Sequence, residues 1–239
     1  MLSKLSEHVY RFEDTCNVYV VKDGTKAVLI DFGSGRILDH LGDLGITQVD
    51  WILHTHHHRD QCQGDKLANE RGIPIAVPAH EQPYFEEVEV FWGSRQIYNI
   101  YDVRQTFFTL AESVRTASVL QDYETFEWGS YRFFIQPTPG HTLGHIALIA
   151  DIDGARLAFS GDLIAEPGKV GTLFDLQYSY GSGDGSDYMV YSLAKMREHS
   201  PDLLCPSHGA PFGDTDAALH SLEIKFREYM KHRWGIDTP

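Results

Sequence analysis

The chain has 239 residues, 42% apolar and 23% charged, with a formal net charge of −14. That suits one sizeable soluble domain over 1–239, and it disfavours a nucleic-acid partner, whose phosphates demand clustered Lys and Arg. Three cysteines (Cys16, Cys62, Cys205) give no disulfide framework, the N-terminus lacks a signal-peptide core, and no apolar run approaches the roughly 20 residues of a membrane span. The expectation is a cytoplasmic protein that does not engage a membrane.

Short β segments are predicted at 8–12, 17–21 and 27–30, with Lys22-Asp23-Gly24 as a hairpin turn. Ile37, Leu38, Leu41 and Leu44 recur at helical spacing, and Gly45 ends that helix. A strand over 49–53 follows and runs into the segment ILHTHHHRDQCQGD, 52–65, whose Gln61-Cys62-Gln63-Gly64 reads as a helix start. Strands interleaved with helices predict an α/β layering.

The stretch from about 80 to 122 differs. It mixes Glu81, Glu86, Glu87 and Glu89 with Tyr84, Phe85, Phe91, Trp92, Tyr98, Tyr101, Phe107 and Phe108. This predicts a helical insertion with loops, between strands near 75–77 and 132–135. Its aromatics suit packing onto the domain, lining a pocket, or forming a homodimer face. A Gly- and Tyr-rich stretch at 173–188 reads either as a wall of a site or as a surface loop. The loop would lead into a helix near 187–199, capped by Ser186 or Asp187. A last helix over about 215–233 carries Leu219, Leu222, Ile224, Phe226 and Tyr229 for packing.

Within 52–65, His56, His58 and Asp60 stand at i, i+2 and i+4. In extended backbone such side chains point to one side. Two imidazoles and a carboxylate suit a divalent ion such as zinc. His57 points the other way by the same alternation, and His54 is not expected to ligate. Three further turns follow apolar strand-like runs: Thr138-Pro139-Gly140-His141, Gly161-Asp162, and Pro206-Ser207-His208-Gly209. Glycine lets each chain turn sharply behind its His or Asp. His145 is assigned a structural hydrogen bond, Cys62 a buried structural role, and His8, His40, His80, His199, His220 and His232 the surface.

With these motifs the chain resembles the metallo-β-lactamase superfamily, whose signature T-H-x-H-x-D-H precedes isolated His, Asp and His residues. The resemblance runs from Leu29-Ile30-Asp31-Phe32-Gly33 to Ser207-His208-Gly209. It implies a four-layer αββα sandwich of two mixed β-sheets with helices outside. It implies a first metal on His56, His58 and His141, and a second on Asp60 and His208, with Asp162 bridging. Asp31 is implied to support a ligand His. One position departs: Gln61 stands where the family has His, so the second ion is expected to bind more weakly or to differ in kind.

The chemistry so implied is hydrolysis of a small ester, thioester or lactone by a metal-bound hydroxide, with Asp60 as the catalytic residue that orients it or takes its proton. Two zinc ions are the expected cofactors, with iron or manganese as other candidates. A small molecule is the expected partner. A mononuclear iron oxygenase of the persulfide dioxygenase type and a non-catalytic metal-binding relative are the alternative readings.

Overall fold

The computed structural model describes residues 1–94, 109–171 and 185–234. The first sheet orders seven strands by sequence: β1 (Leu2–Lys4), β2 (Val9–Glu13), β3 (Asn17–Asp23), β4 (Lys26–Ile30), β5 (Gln48–Leu53), β6 (Ile75–Pro78) and β7 (Ser118–Leu120). Its first four strands pair antiparallel and the rest parallel. The second sheet runs in the order β12 (Leu203–Pro206), β11 (Ala155–Gly161), β10 (Ile146–Ile152), β9 (Tyr131–Pro137) and β8 (Thr125–Trp128). It is antiparallel except where β11 meets β12. Six helices are described: α1 (Arg59–Cys62), α2 (Asp65–Glu70), α3 (Gln82–Glu86), α4 (Val88–Ser94), α5 (Gly185–Glu198) and α6 (Thr215–Trp234).

Side-chain alternation builds the layers. On β4, Val28 and Ile30 face the second sheet, meeting Phe133, Ile135, Leu148 and Phe159. Their neighbours Ala27 and Leu29 face outward, onto Phe32, Ile37 and Ala68 of the covering segments. On β10, Ile146 and Leu148 point inward while Ala147 and Ile149 meet Met189, Leu193, Leu219 and Phe226 of α5 and α6. Three apolar seams therefore separate four layers, the αββα sandwich that the sequence implies.

Several local expectations change. The segment with Ile37, Leu38, Leu41 and Leu44 forms two 3-10 turns, Arg36–Asp39 and Leu41–Leu44, rather than one helix. Gly35 and Gly45, at φ 83° and 68°, bracket it, and glycine adopts such left-handed backbone without steric cost. Part of the expected insertion belongs to the sheet, since β7 pairs with β6. Its described aromatics pack: Phe85 and Val88 are buried, Phe91 nearly so, and Trp92 Nε1 donates to Leu110 O at 2.8 Å. Tyr98, Tyr101, Phe107 and Phe108 lie outside the described residues, as does most of 173–188. Ser186 and Asp187 fall inside α5 rather than capping it. His8 and His40 keep the surface places expected of them, with side chains 37% and 42% exposed, whereas His199 is half-buried with its Nε2 2.7 Å from Gln136 Oε1. Among the described residues, no helix is long and apolar enough to cross a membrane.

Candidate metal centre

The predicted site residues come from loops that leave strands at one edge of the sandwich. Asp31 follows β4, residues 54–58 follow β5, His141 follows β9, Asp162 follows β11, and Ser207 and His208 follow β12. Asp60 lies in the first turn of α1, so the extended backbone expected through 56–60 ends at His58. One donor atom from each of His56, His58, His141 and Asp162 lies within 4.8 Å of the others, and the same holds for Asp60, Asp162 and His208. Asp162 is common to both groups. Its Oδ2 sits 3.2 Å from His141 Nε2 and 3.5 Å from His56 Nε2, and its Oδ1 sits 3.8 Å from His208 Nε2. All six predicted positions thus meet in one place.

The donor set fits a divalent cation. His56 Nε2 is fully buried, and among the described residues no hydrogen bond reaches it. His58 Nδ1 and His141 Nε2 face each other at 2.9 Å. Burial, then the neighbouring His141 and His56, push His58 well below the usual imidazole range, so the ring is neutral. Converging imidazoles beside a carboxylate are the borderline-soft ligands that zinc-class ions take. Burial pushes Asp162 up, but His141, His56 and His208 outweigh it and hold the carboxyl well below its usual range.

The two halves differ in exposure. His56 and His58 are buried, whereas the His208 and Asp60 side chains are 44% and 33% exposed, with 2.9 Å between Nε2 and Oδ2. Gln61 is fully buried. Its Nε2 donates to Asp162 Oδ2 at 3.3 Å, and its Oε1 finds no partner among the described residues. The departure noted in the sequence therefore sits inside the site, on the shared carboxylate.

Neighbouring groups fix the rings. Asp31, at φ 56°, accepts from Thr55 N and Thr55 Oγ1, each at 2.9 Å, and from Ser207 Oγ at 3.3 Å. Thr55 Oγ1 in turn lies 3.0 Å from His56 Nδ1. His54 stands between Asp65 at 3.0 Å and Asp31 at 3.3 Å. Burial pushes the His54 cation down, but the two carboxylates outweigh it and hold it up at about 9. Burial also pushes Asp65 up; two carboxylates flank one imidazole, so the shared proton belongs to His54. The Cys62 thiol is buried 3.4 Å from His56 O. His145 has the structural place expected of it: Nδ1 meets Thr138 Oγ1 at 2.8 Å and Nε2 accepts from Asp162 N at 3.0 Å. Gly161, at φ 53°, allows that approach, because a Cβ there would strike the His145 ring.

Glu81 was not legible as a site residue. It is fully buried and accepts from His57 N at 2.6 Å, Gly144 N at 3.2 Å and Thr142 Oγ1, and it lies 2.8 Å from His57 Nδ1. Burial pushes its carboxyl up, but His57 and Thr142 outweigh it and bring it down to about 2. The His57 ring thus points away from the ligands and stacks on Tyr84, 4.4 Å between centroids. His57, Glu81, Tyr84 and His145 help line a recess of about 360 Å³. A larger recess, about 750 Å³, opens among Lys26, Asp50 and Arg71, where β4 and β5 begin, at the strand ends opposite these ligands.

Residues 11–208 match the sequence profile of the metallo-beta-lactamase superfamily, and the chain belongs to that superfamily. A hydroxyacylglutathione hydrolase of Albidiferax ferrireducens is 30% identical over 161 residues, 66% of this chain and 51% of that protein. One from Hahella chejuensis is 28% identical over 168 residues, 69% of this chain and 52% of its own. The chain spans about half the length of these curated relatives. Among solved structures, a subclass B3 metallo-beta-lactamase of Bradyrhizobium japonicum superposes with a TM-score of 0.73 at 20% identity, covering 97% of this chain and 94% of that one. A Cronobacter sakazakii metallo-beta-lactamase, described by its HARLDQ motif, gives 0.71 at 14% identity over 98% of each chain. That motif also ends in Asp-Gln, as Asp60-Gln61 does here. At these identities the likeness speaks for the fold.

Proposed function

We propose that the chain is a metal-dependent hydrolase of a small thioester, ester or lactone. The observation that carries this reading is the convergence of His56, His58, His141 and Asp162 around one point, with Asp60 and His208 adjoining through Asp162. The first three and Asp162 would hold one ion; Asp60, Asp162 and His208 would hold a second. The chemistry such an ion would supply is the lowering of a water's pKa from about 15.7 toward 7, which would make a hydroxide available as nucleophile.

The chain's own groups do the rest. Asp60 reaches the solvent-facing side of the cluster, where its carboxylate can orient a water or take its proton. Asp31 holds the Thr55 hydroxyl against His56 Nδ1; a proton on that nitrogen would leave the Nε2 lone pair facing the cluster. No protein nucleophile is required. The thioester is favoured within this class by the hydroxyacylglutathione hydrolase relatives. The second position, more exposed and lacking an imidazole at Gln61, would bind its ion more weakly than the first.

The test is a panel of acyl-glutathione thioesters, aryl esters and lactones, assayed on metal-loaded wild type, Asp60→Asn and His58→Ala. Turnover of one substrate class that chelation and both substitutions abolish supports the reading. Turnover that survives chelation, or no turnover of any of the three classes by the loaded protein, overturns it.

A further inference from the structure

We infer that Glu81 is a positioning residue that clamps the two ligand-bearing loops together. The inference rests on the metal centre proposed above. One oxygen, Oε2, takes the backbone N–H of His57 at 2.6 Å and lies 2.8 Å from its ring Nδ1. His57 is the residue between the predicted ligands His56 and His58. The other oxygen, Oε1, takes the Thr142 hydroxyl and the Gly144 N–H. Thr142 follows the predicted ligand His141. A single buried carboxylate thus spans a loop after β5 and a loop after β9, each carrying imidazoles of the same cluster.

The surroundings are built around this contact. Glu81 ends a short 3-10 turn after β6, and it is 1% exposed. Gly144 lies against it so closely that a Cβ would strike Glu81 Cγ, so the loop after His141 needs glycine at this position. His57 is held from its other face by the Tyr84 ring. A charged hydrogen-bond acceptor in a dry site is roughly twice as strong as a neutral one. Breaking the clamp therefore lets the His56–His58 loop and the His141 loop move apart, and a metal-ligand set tolerates only small displacements of its donors.

The experiment is a cobalt(II) titration of chelator-stripped protein, read by the visible ligand-field absorption and by competition with a chelator. Wild type, Glu81→Ala, Glu81→Gln and Thr142→Val are compared, with melting temperatures of the stripped proteins measured alongside. Loss of an outer partner of this kind typically costs about 10–100-fold in metal affinity, and Glu81→Ala is expected to fall in that range with an altered absorption band. Glu81→Gln keeps an acceptor oxygen at the same reach and is expected to recover part of the loss. Thr142→Val, which removes one of the four contacts, is expected to weaken cobalt binding less, and it carries the test if Glu81→Ala does not fold. Wild-type affinity and absorption in Thr142→Val and in the folded Glu81 variants would overturn the clamp. Failure of wild type itself to take up cobalt would instead overturn the metal centre, and the clamp with it.

Discussion

The Thr55 hydroxyl lies between Asp31 and His56, 2.9 Å from Asp31 Oδ2 and 3.0 Å from His56 Nδ1. The hydroxyl has one proton. If it donates to the carboxylate it must accept from the imidazole, which fixes the His56 tautomer with its Nε2 lone pair facing the cluster. Thr55→Val keeps the shape and removes this relay. We predict a loss of about 10–100-fold in metal affinity, with Thr55→Ser close to wild type. Equal affinities in chelator competition for all three proteins would contradict the relay.

Gln61 offers the cluster a neutral amide where the superfamily signature has an imidazole. Gln61→His is predicted to tighten the second ion and bring the stoichiometry to two per chain at metal concentrations where wild type holds fewer. Calorimetric titration measures both quantities. Unchanged stoichiometry and affinity would show that Gln61 does not limit the second position.

The N-terminal hairpin is pinned to the β10–β11 turn by Asp153, which accepts from Ser6 Oγ at 2.6 Å and His8 N at 2.8 Å and lies 2.6 Å from His8 Nδ1. Burial pushes Asp153 up, but Ser6 and His8 outweigh it and bring its carboxyl down to about 2, while Asp153 raises His8. A depressed carboxyl contributes stability above its unfolded pKa of about 3.9, lost as pH falls toward 2. A raised imidazole contributes stability below about 6.5, lost as pH rises through its folded value. The melting-temperature penalty of Asp153→Ala is therefore predicted to be largest between about pH 4 and 6.5 and smaller at pH 9. A penalty that does not change with pH would mean that the His8 charge plays no part.

Phe159 is fully buried between the sheets, 5.3 Å from the Tyr19 ring and 6.4 Å from Phe133. Truncation to Ala removes transfer energy and leaves a cavity, at a cost of about 3–5 kcal/mol. Phe159→Ala should lower the unfolding free energy by that amount in a denaturant titration while keeping the metal stoichiometry of wild type. Loss of metal from the folded variant would show that the core and the centre are not separable.

Residues that act through local spacing were readable from the sequence, and those that act across the fold were not. His56, His58 and Asp60 share one strand-exit segment, and His141, Asp162 and His208 each follow an apolar run at a Gly- or Pro-bearing turn, so pattern alone singles them out. The sandwich itself was implied by the family resemblance that these motifs carry; the facing of Val28 and Ile30 against that of Ala27 and Leu29 was not legible, because all four residues are apolar. Glu81 reaches His57 and Thr142 across 24 and 61 residues, and nothing near it in the sequence marks it off from Glu86 or Glu89. β7 and β8 are three and four residues long, too short for period-two patterning to stand out. The 3-10 turns at 36–44 kept the apolar spacing of a helix, but Gly35, Gly42 and Gly45 weakened it below the length an α-helix needs.

The most direct test is the metal content of the protein purified without chelator or added metal, measured by elemental analysis per chain. The account predicts at least one zinc-class ion per chain, with a second that is lost first on dialysis. A chain that carries no metal, and takes up none when zinc, manganese or iron is supplied, would contradict it.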